Sequence, residues 1–193
     1  RQVTTAWQKT IPAAFIAQTT APVTRVQTPQ GELSVERGKP RNSTEIANLI
    51  NRINKPKQLL NKEDIMAAFG EKAFLLCQVG GKLVGVVGLQ VENLVARTVD
   101  IVLDPVIPVQ QALPPLINEV ERASRDLQCE ASLVFSPPEL ARQEATWKSL
   151  GYEQRNPMTL GVMAWQEAAR DSMPANTVLF FKQLRQDRIL RPI

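Results

Sequence analysis

One segment limits the fold of this chain more than any other. Residues 73–92, AFLLCQVGGKLVGVVGLQVE, place an apolar run on each side of the pair Gly80-Gly81. Two adjacent glycines accept positive φ, so the pair reads as the tight turn of a β-hairpin joining two apolar strands. An antiparallel sheet therefore sits at the centre of the chain, and the segments around it must provide more strands and the helices that cover them.

The flanking patterns do so. Residues 32–37 alternate as a strand, with Leu33 and Val35 facing one way. Asn42, Ser43 or Thr44 can cap a helix carrying Ile46, Leu49, Ile50 and Ile53 at helical spacing, and Pro56 ends it. Asn61 with Asp64 forms a capping box ahead of Ile65, Met66, Ala68 and Phe69, with Gly70 closing that helix. Residues 98–103 predict a strand, 116–127 an amphipathic helix with Leu116, Ile117, Val120 and Ala123 on one face, and 131–135 a buried strand. Residues 140–150 predict a helix stopped by Gly151, and 178–184 a closing strand. The expected fold class is α+β: a mixed, mainly antiparallel sheet flanked by helices.

The ends differ from this middle. Residues 1–31 are rich in Thr, Gln, Ala and Pro, and Pro12, Pro22 and Pro29 interrupt any regular element, so this stretch reads as an arm. The domain is expected over residues 32–186 and a basic tail over 187–193. Lys and Arg outnumber Asp and Glu by nine to three in residues 1–60 and by four to one in residues 182–193, whereas residues 61–181 hold ten against fifteen. The net charge of +4 thus hides basic ends around an acidic middle.

Histidine is absent from all 193 residues, which removes the commonest general base near neutral pH, every Ser-His or Cys-His pairing and the usual zinc ligand sets. The only thiols, Cys77 and Cys129, lie in or beside apolar runs and read as buried, reduced residues of an intracellular, cytoplasmic protein. No run of about 18 apolar residues suggests a transmembrane helix.

The element order, together with LSVERGKPRNSTEIANLINRI, AFLLCQVGGKLVGVVGL, TVDIVLDP, LPPLINEVERASRDL, LVFSPPELARQEATWKSLGY and VLFFKQL, resembles the GNAT superfamily of N-acetyltransferases over residues 32–186. WKSLGY is similar to the family's Tyr-x-Lys-Leu-Gly-Phe stretch. In that family a strand ending V-x-P leads into a Gln/Arg-x-x-Gly-x-Gly/Ala turn whose backbone N–H groups cradle the acetyl-CoA pyrophosphate. Here the strand ends Leu103-Asp104-Pro105, and the ungapped register puts Pro108 at the Gln/Arg position, Val109 and Gln111 at glycines, and Leu113 at the final Gly/Ala. Pro114 and Pro115 fall in the expected first turn of the helix and have no N–H to donate, and no Lys or Arg occurs between Asp104 and Asn118. The family's thiolate-protonating Tyr is replaced by Trp147, its Phe by Tyr152, and one common position of its base by Arg97; Glu92 and Asp100 remain as candidate bases.

The leading expectation is therefore a degenerate acetyltransferase-fold protein with no acetyl-CoA bound, acting as an assembly or binding subunit. It would engage a protein partner through the arm and through Arg185, Arg188 and Arg191, which recur every three residues in the basic tail. The alternative is an acetyl-CoA-dependent N-acetyltransferase with an atypical site: Ile101, Leu103, Val109, Gln111 and Leu113 at the cofactor, Glu92 or Asp100 at the amine. A nucleic-acid-associated module is the third reading, disfavoured because no aromatics interleave the arginines. Gly80, Gly81, Gly85 and Gly88 lack a phosphate-loop continuation and imply turns, a bulge or close packing; Ser136-Pro137-Pro138 reads as a turn; Trp7, Phe15 and Trp165 read as packing residues or partner anchors.

Overall fold

A computed structural model describes residues 24–186. An eight-stranded sheet runs in the order β1-β2-β3-β4-β5-β6-β8-β7. Its strands are β1 (Thr24–Thr28), β2 (Gly31–Arg37), β3 (Ala73–Val79), β4 (Lys82–Glu92), β5 (Val95–Leu103), β6 (Ala131–Ser136), β7 (Glu153–Gln154) and β8 (Val178–Gln183). Every neighbouring pair is antiparallel except β5 and β6. The mixed α+β fold expected from the sequence is the one observed.

The β3–β4 hairpin turns on Gly80 (φ 56°) and Gly81 (φ 80°), a double positive φ that glycine adopts at no steric cost. Alternate residues of β3 serve opposite layers. Leu75 and Cys77 pack under the long helix α3 (Val109–Asp126) with its Leu113, Leu116, Ile117 and Val120. Phe74 and Leu76 pack under α1 (Ser43–Asn54) and α2 (Lys62–Ala68), with Ile46, Leu49, Ile50 and Ile65. On that same face, beyond the two helices, α6 (Met163–Ser172) buries Trp165 and Ala169 against Leu133, Phe135 and Leu179. At Gly85 the packing under α3 is tight: a Cβ there would stand 2.8 Å from Leu103 Cδ2 and 3.2 Å from Leu116 Cδ1. Among the described residues no helix is long and apolar enough to cross a membrane.

Four expectations change. Residues 24–28, placed in the arm, form edge strand β1 in register with β2; the strand is polar and largely exposed, so it lacks the apolar run that marks a buried strand. The third helix starts at Val109, about two turns before Leu116, which puts Pro114 and Pro115 inside it and not at its first turn. The helix expected over 140–150 is two short ones, α4 (Pro138–Ala141) and α5 (Glu144–Ser149), broken where Gln143 leaves helical geometry at φ −81°, ψ 53°. Helix α6 was not expected, although Trp165 and Ala169 sit one helical turn apart. The capping box of α2 is as expected, Asn61 Oδ1 accepting from the Asp64 N–H at 2.9 Å and Asp64 Oδ2 from the Asn61 N–H at 2.8 Å. Residues 1–23 of the expected arm and the tail residues 187–193 lie outside the described residues.

Candidate functional site

The parallel pair holds register from Val95↔Ala131 to Thr98↔Val134 and then stops. Beyond Thr98, residues 99–103 of β5 have no strand partner on that side, because β6 turns away into Pro137 and α4. The gap is an open apolar cavity of about 300 Å³ walled by Ile101, Leu103, Ile107, Val109, Pro137 and Leu140. Three expected cofactor residues, Ile101, Leu103 and Val109, are thus brought together in one wall. Leu113 is not: it is fully buried beneath α3. Gln111 is likewise not among the lining residues; its Oε1 is buried with no partner. Neither side chain plugs the cleft.

Beside the cleft stand backbone donors and a cation that the linear sequence conceals. Gln111 and Ala112 donate their N–H groups to the Pro108 carbonyl at 2.9 and 3.2 Å, leaving those of Val109 and Gln110 at the helix start without a helical acceptor. Contrary to the expectation from the sequence, Pro114 and Pro115 do not strip this end of donors, because they lie further along the helix. What they remove are the bonds normally made to the Gln110 and Gln111 carbonyls.

The Asp104 carboxylate is spent locally. It is 5 % exposed, its Oδ1 accepts the Val106 N–H at 3.0 Å, and its Oδ2 pairs with Arg52 Nη2 of α1 at 2.7 Å. Burial alone would raise its pKa, but the Arg52 and Val106 hydrogen bonds and the charges of Arg52 and Lys82 outweigh that and hold it below the usual carboxylate range. Arg52 itself stays half-exposed. It is the cation the loop lacks, brought in from far along the chain.

The two candidate bases part company. Glu92 ends β4, paired with Val95 at the start of β5 and ion-paired to Arg97, roughly 16 Å along the strand from the cleft at 3.3 Å per residue. It lines a separate small cavity under α6, and Arg97 also donates to Ser172 there. Glu92 therefore does not reach the site, nor would a base at position 97. Asp100 does. The register slips between Val86↔Val102 and Gly88↔Val99, so β5 carries an extra residue, and Asp100 takes a left-handed φ of 52° in the bulge. Lys72 Nζ meets its Oδ2 at 2.5 Å. Gly88 leaves room for that pair: a Cβ would stand 2.9 Å from Lys72 Cδ and 3.3 Å from Asp100 Oδ2.

Trp147 is a core residue. It is 1 % exposed, stacks on Phe180 at 4.5 Å between ring centroids, and donates its indole N–H to the Leu140 carbonyl at 2.8 Å. Tyr152 is buried beside it with its hydroxyl donating to Ser132 Oγ at 2.9 Å, and burial pushes its pKa up. Cys77 and Cys129 are buried free thiols, each pushed up to about 12 by desolvation. Of the tail arginines only Arg185 is described: its backbone N–H bonds the Glu130 carbonyl and its Nη1 the Gln128 side chain at 2.6 Å. Arg188, Arg191, Trp7 and Phe15 lie outside the described residues, while Trp165 packs against Phe181 in the core. Sequence reasoning missed Arg52, Lys72 and Glu139, the last lying on α4 at the cleft's rim.

No family model matches the chain, and no curated protein sequence does. Solved structures do match. A GNAT-family acetyltransferase from Staphylococcus aureus Mu50 superposes with a TM-score of 0.60 at 10 % identity, covering 79 % of this chain and 99 % of that one. The ribosomal-protein-S18-alanine N-acetyltransferase of Escherichia coli gives 0.60 at 11 % identity, covering 81 % and 97 %. The PaiA N-acetyltransferase of Thermoplasma acidophilum, solved in complex with coenzyme A, gives 0.56 at 9 %, covering 78 % and 98 %. The fold of this chain is that of the GNAT acetyltransferases.

Proposed function

We propose that this chain is an acyl-CoA-dependent N-acyltransferase, with acetyl-CoA the donor and a small amine the acceptor. One observation carries the proposal: the cleft between β5 and β6 is open at the point where the strands part. A non-catalytic assembly subunit without acetyl-CoA was the expectation from the missing glycines and the prolines, and neither Gln111 nor Leu113 closes the groove. Solved GNAT-fold neighbours with coenzyme A bound add weight to the same reading.

The residues present fit the cofactor. The unpaired edge of β5 past Thr98 offers backbone groups to an extended amide-bearing arm, and Ile101, Leu103, Ile107 and Leu140 offer an apolar channel for it. The free N–H groups of Val109 and Gln110 and the half-exposed Arg52 suit a diphosphate at the mouth. When bound, acetyl-CoA supplies a thioester carbonyl open to attack by an amine. Asp100, on the neighbouring stretch of β5, accepts the proton the attacking amine gives up, while Lys72 fixes the carboxylate's orientation through one oxygen. The apolar walls exclude water that would compete with the amine.

Calorimetric titration with acetyl-CoA, followed by an acetyl-transfer assay, tests this. Saturable micromolar binding is expected, and Asp100→Asn should lower kcat by about 10²-fold or more with binding retained. Glu92→Gln should leave kcat unchanged. Absence of binding at about 1 mM by a folded protein would overturn the enzyme reading in favour of the non-catalytic subunit, with the basic tail as its docking element.

A further inference from the structure

We infer that the acceptor is a small aliphatic amine bearing a second positive charge and no carboxylate, for which a linear diamine is the simplest case. This rests on the transferase reading above and concerns a second cavity of about 570 Å³, on the α1 and α6 face of the sheet. It shares Ile101, Pro137 and Glu139 with the acyl cleft, so the two spaces adjoin at these residues. Its far wall is the loop at Asn176 and Thr177, which leads from α6 into β8.

The lining has one sign of charge. Asp100 and Glu139 are its ionisable residues, and among the described residues no Lys or Arg lines it. Lys72 already offsets Asp100 through the 2.5 Å pair. Glu139 is exposed in the first turn of α4, with no ion pair or hydrogen bond to another described residue. The cavity therefore keeps one uncompensated carboxylate, which attracts an ammonium group and repels a carboxylate. Phe135, Pro137 and Pro138 give apolar walls to a methylene spacer, while Asn54, Asn176 and Thr177 add only neutral polar groups. An α-amino acid would set its carboxylate against Glu139 with no cation to receive it.

The transfer balances. An ammonium acceptor loses two protons as its C–N bond forms and the thioester C–S bond breaks; one ends on the departing sulfur, and the other passes through Asp100 to solvent. The second ammonium takes no part in the chemistry and is held at Glu139.

Three matched acceptors test this: 1,5-diaminopentane, pentylamine and 5-aminopentanoate. With acetyl-CoA saturating, the diamine should exceed pentylamine by at least tenfold in kcat/KM and 5-aminopentanoate by at least a hundredfold. Glu139→Gln should raise the KM for the diamine at least tenfold, Glu139→Asp should recover most of the loss, and Glu144→Gln on α5 should change nothing. Equal use of the diamine and the amino acid, or no effect of Glu139→Gln, would overturn the inference and leave the transferase reading standing. If no acceptor turns over, the transferase reading fails, and calorimetric titration of the same three compounds still decides the cavity: diamine binding no tighter than that of 5-aminopentanoate overturns the inference.

Discussion

Arg52 and Asp104 each do two jobs, and the jobs can be separated by experiment. Arg52 neutralises a buried carboxylate and offers its remaining guanidinium N–H groups at the cleft mouth. Arg52→Ala should cost about 1.5–3 kcal/mol of stability, because the Asp104 carboxylate loses a charged hydrogen-bond partner. It should also weaken coenzyme A binding about tenfold or more in calorimetry while leaving binding of phosphate-free pantetheine unchanged. A loss equal for both ligands would assign Arg52 a purely structural role. Asp104 fixes the sign of an acid effect. Its folded pKa lies below its unfolded value of about 3.9, so the stabilisation is complete above that value and disappears as pH falls through the folded pKa. Wild type should therefore lose stability below about pH 4 more steeply than Asp104→Asn, as read by denaturant unfolding at a series of pH values. The thiols follow the opposite logic: with Cys77 and Cys129 pushed up to about 12, neither should react with a thiol reagent at pH 8 until the protein unfolds. Their burial was legible in the apolar runs around them, and so was the Gly80-Gly81 turn. The Arg52–Asp104 pair was not, because it joins residues from different helical and loop segments and leaves no local pattern.

Among the elements, the start of α3 decides the most. A proline at the first helical position fits the helix but removes a donor, and Pro108 already has the extended ψ of 135° that a following proline requires. Val109→Pro should thus keep the fold while weakening coenzyme A binding about tenfold, and Val109→Ala, which trims the same side chain but keeps the N–H, should lose less. Equal losses in the two variants would place the effect in the cavity wall and not in the donor. The helix was expected from Leu116 because its apolar stripe begins there, and two prolines look like a helix start. The observed helix tolerates both prolines in its second turn since Ala112 and Leu113 already bury that end against the sheet. Packing outweighed the local rule. The bulge at Asp100 was only half visible: Gly88 hinted at close packing, but which strand carried the extra residue depended on the register between β4 and β5.

For the whole molecule, β1 shows how the sheet ends. A chain beginning at Gly31 should melt several degrees lower than one beginning at Thr24, because it exposes β2 as an edge and loses the ladder from Thr24↔Val35 to Thr28↔Gly31. Equal melting temperatures would mean that β1 adds nothing to the domain. By itself the sequence determined the layered fold, through period-two and period-3.6 apolar patterns, glycine turns and capping residues, all of which act within a few positions of one another. Only the tertiary structure decided whether the cleft is open and which charges face it. Cleft width depends on where a parallel pair loses register at Thr98, and the electrostatics depend on Arg52, Lys72 and Glu139 arriving from separate elements. Those are long-range relations in space, set by how strands and helices pack, and no short stretch of sequence encodes them.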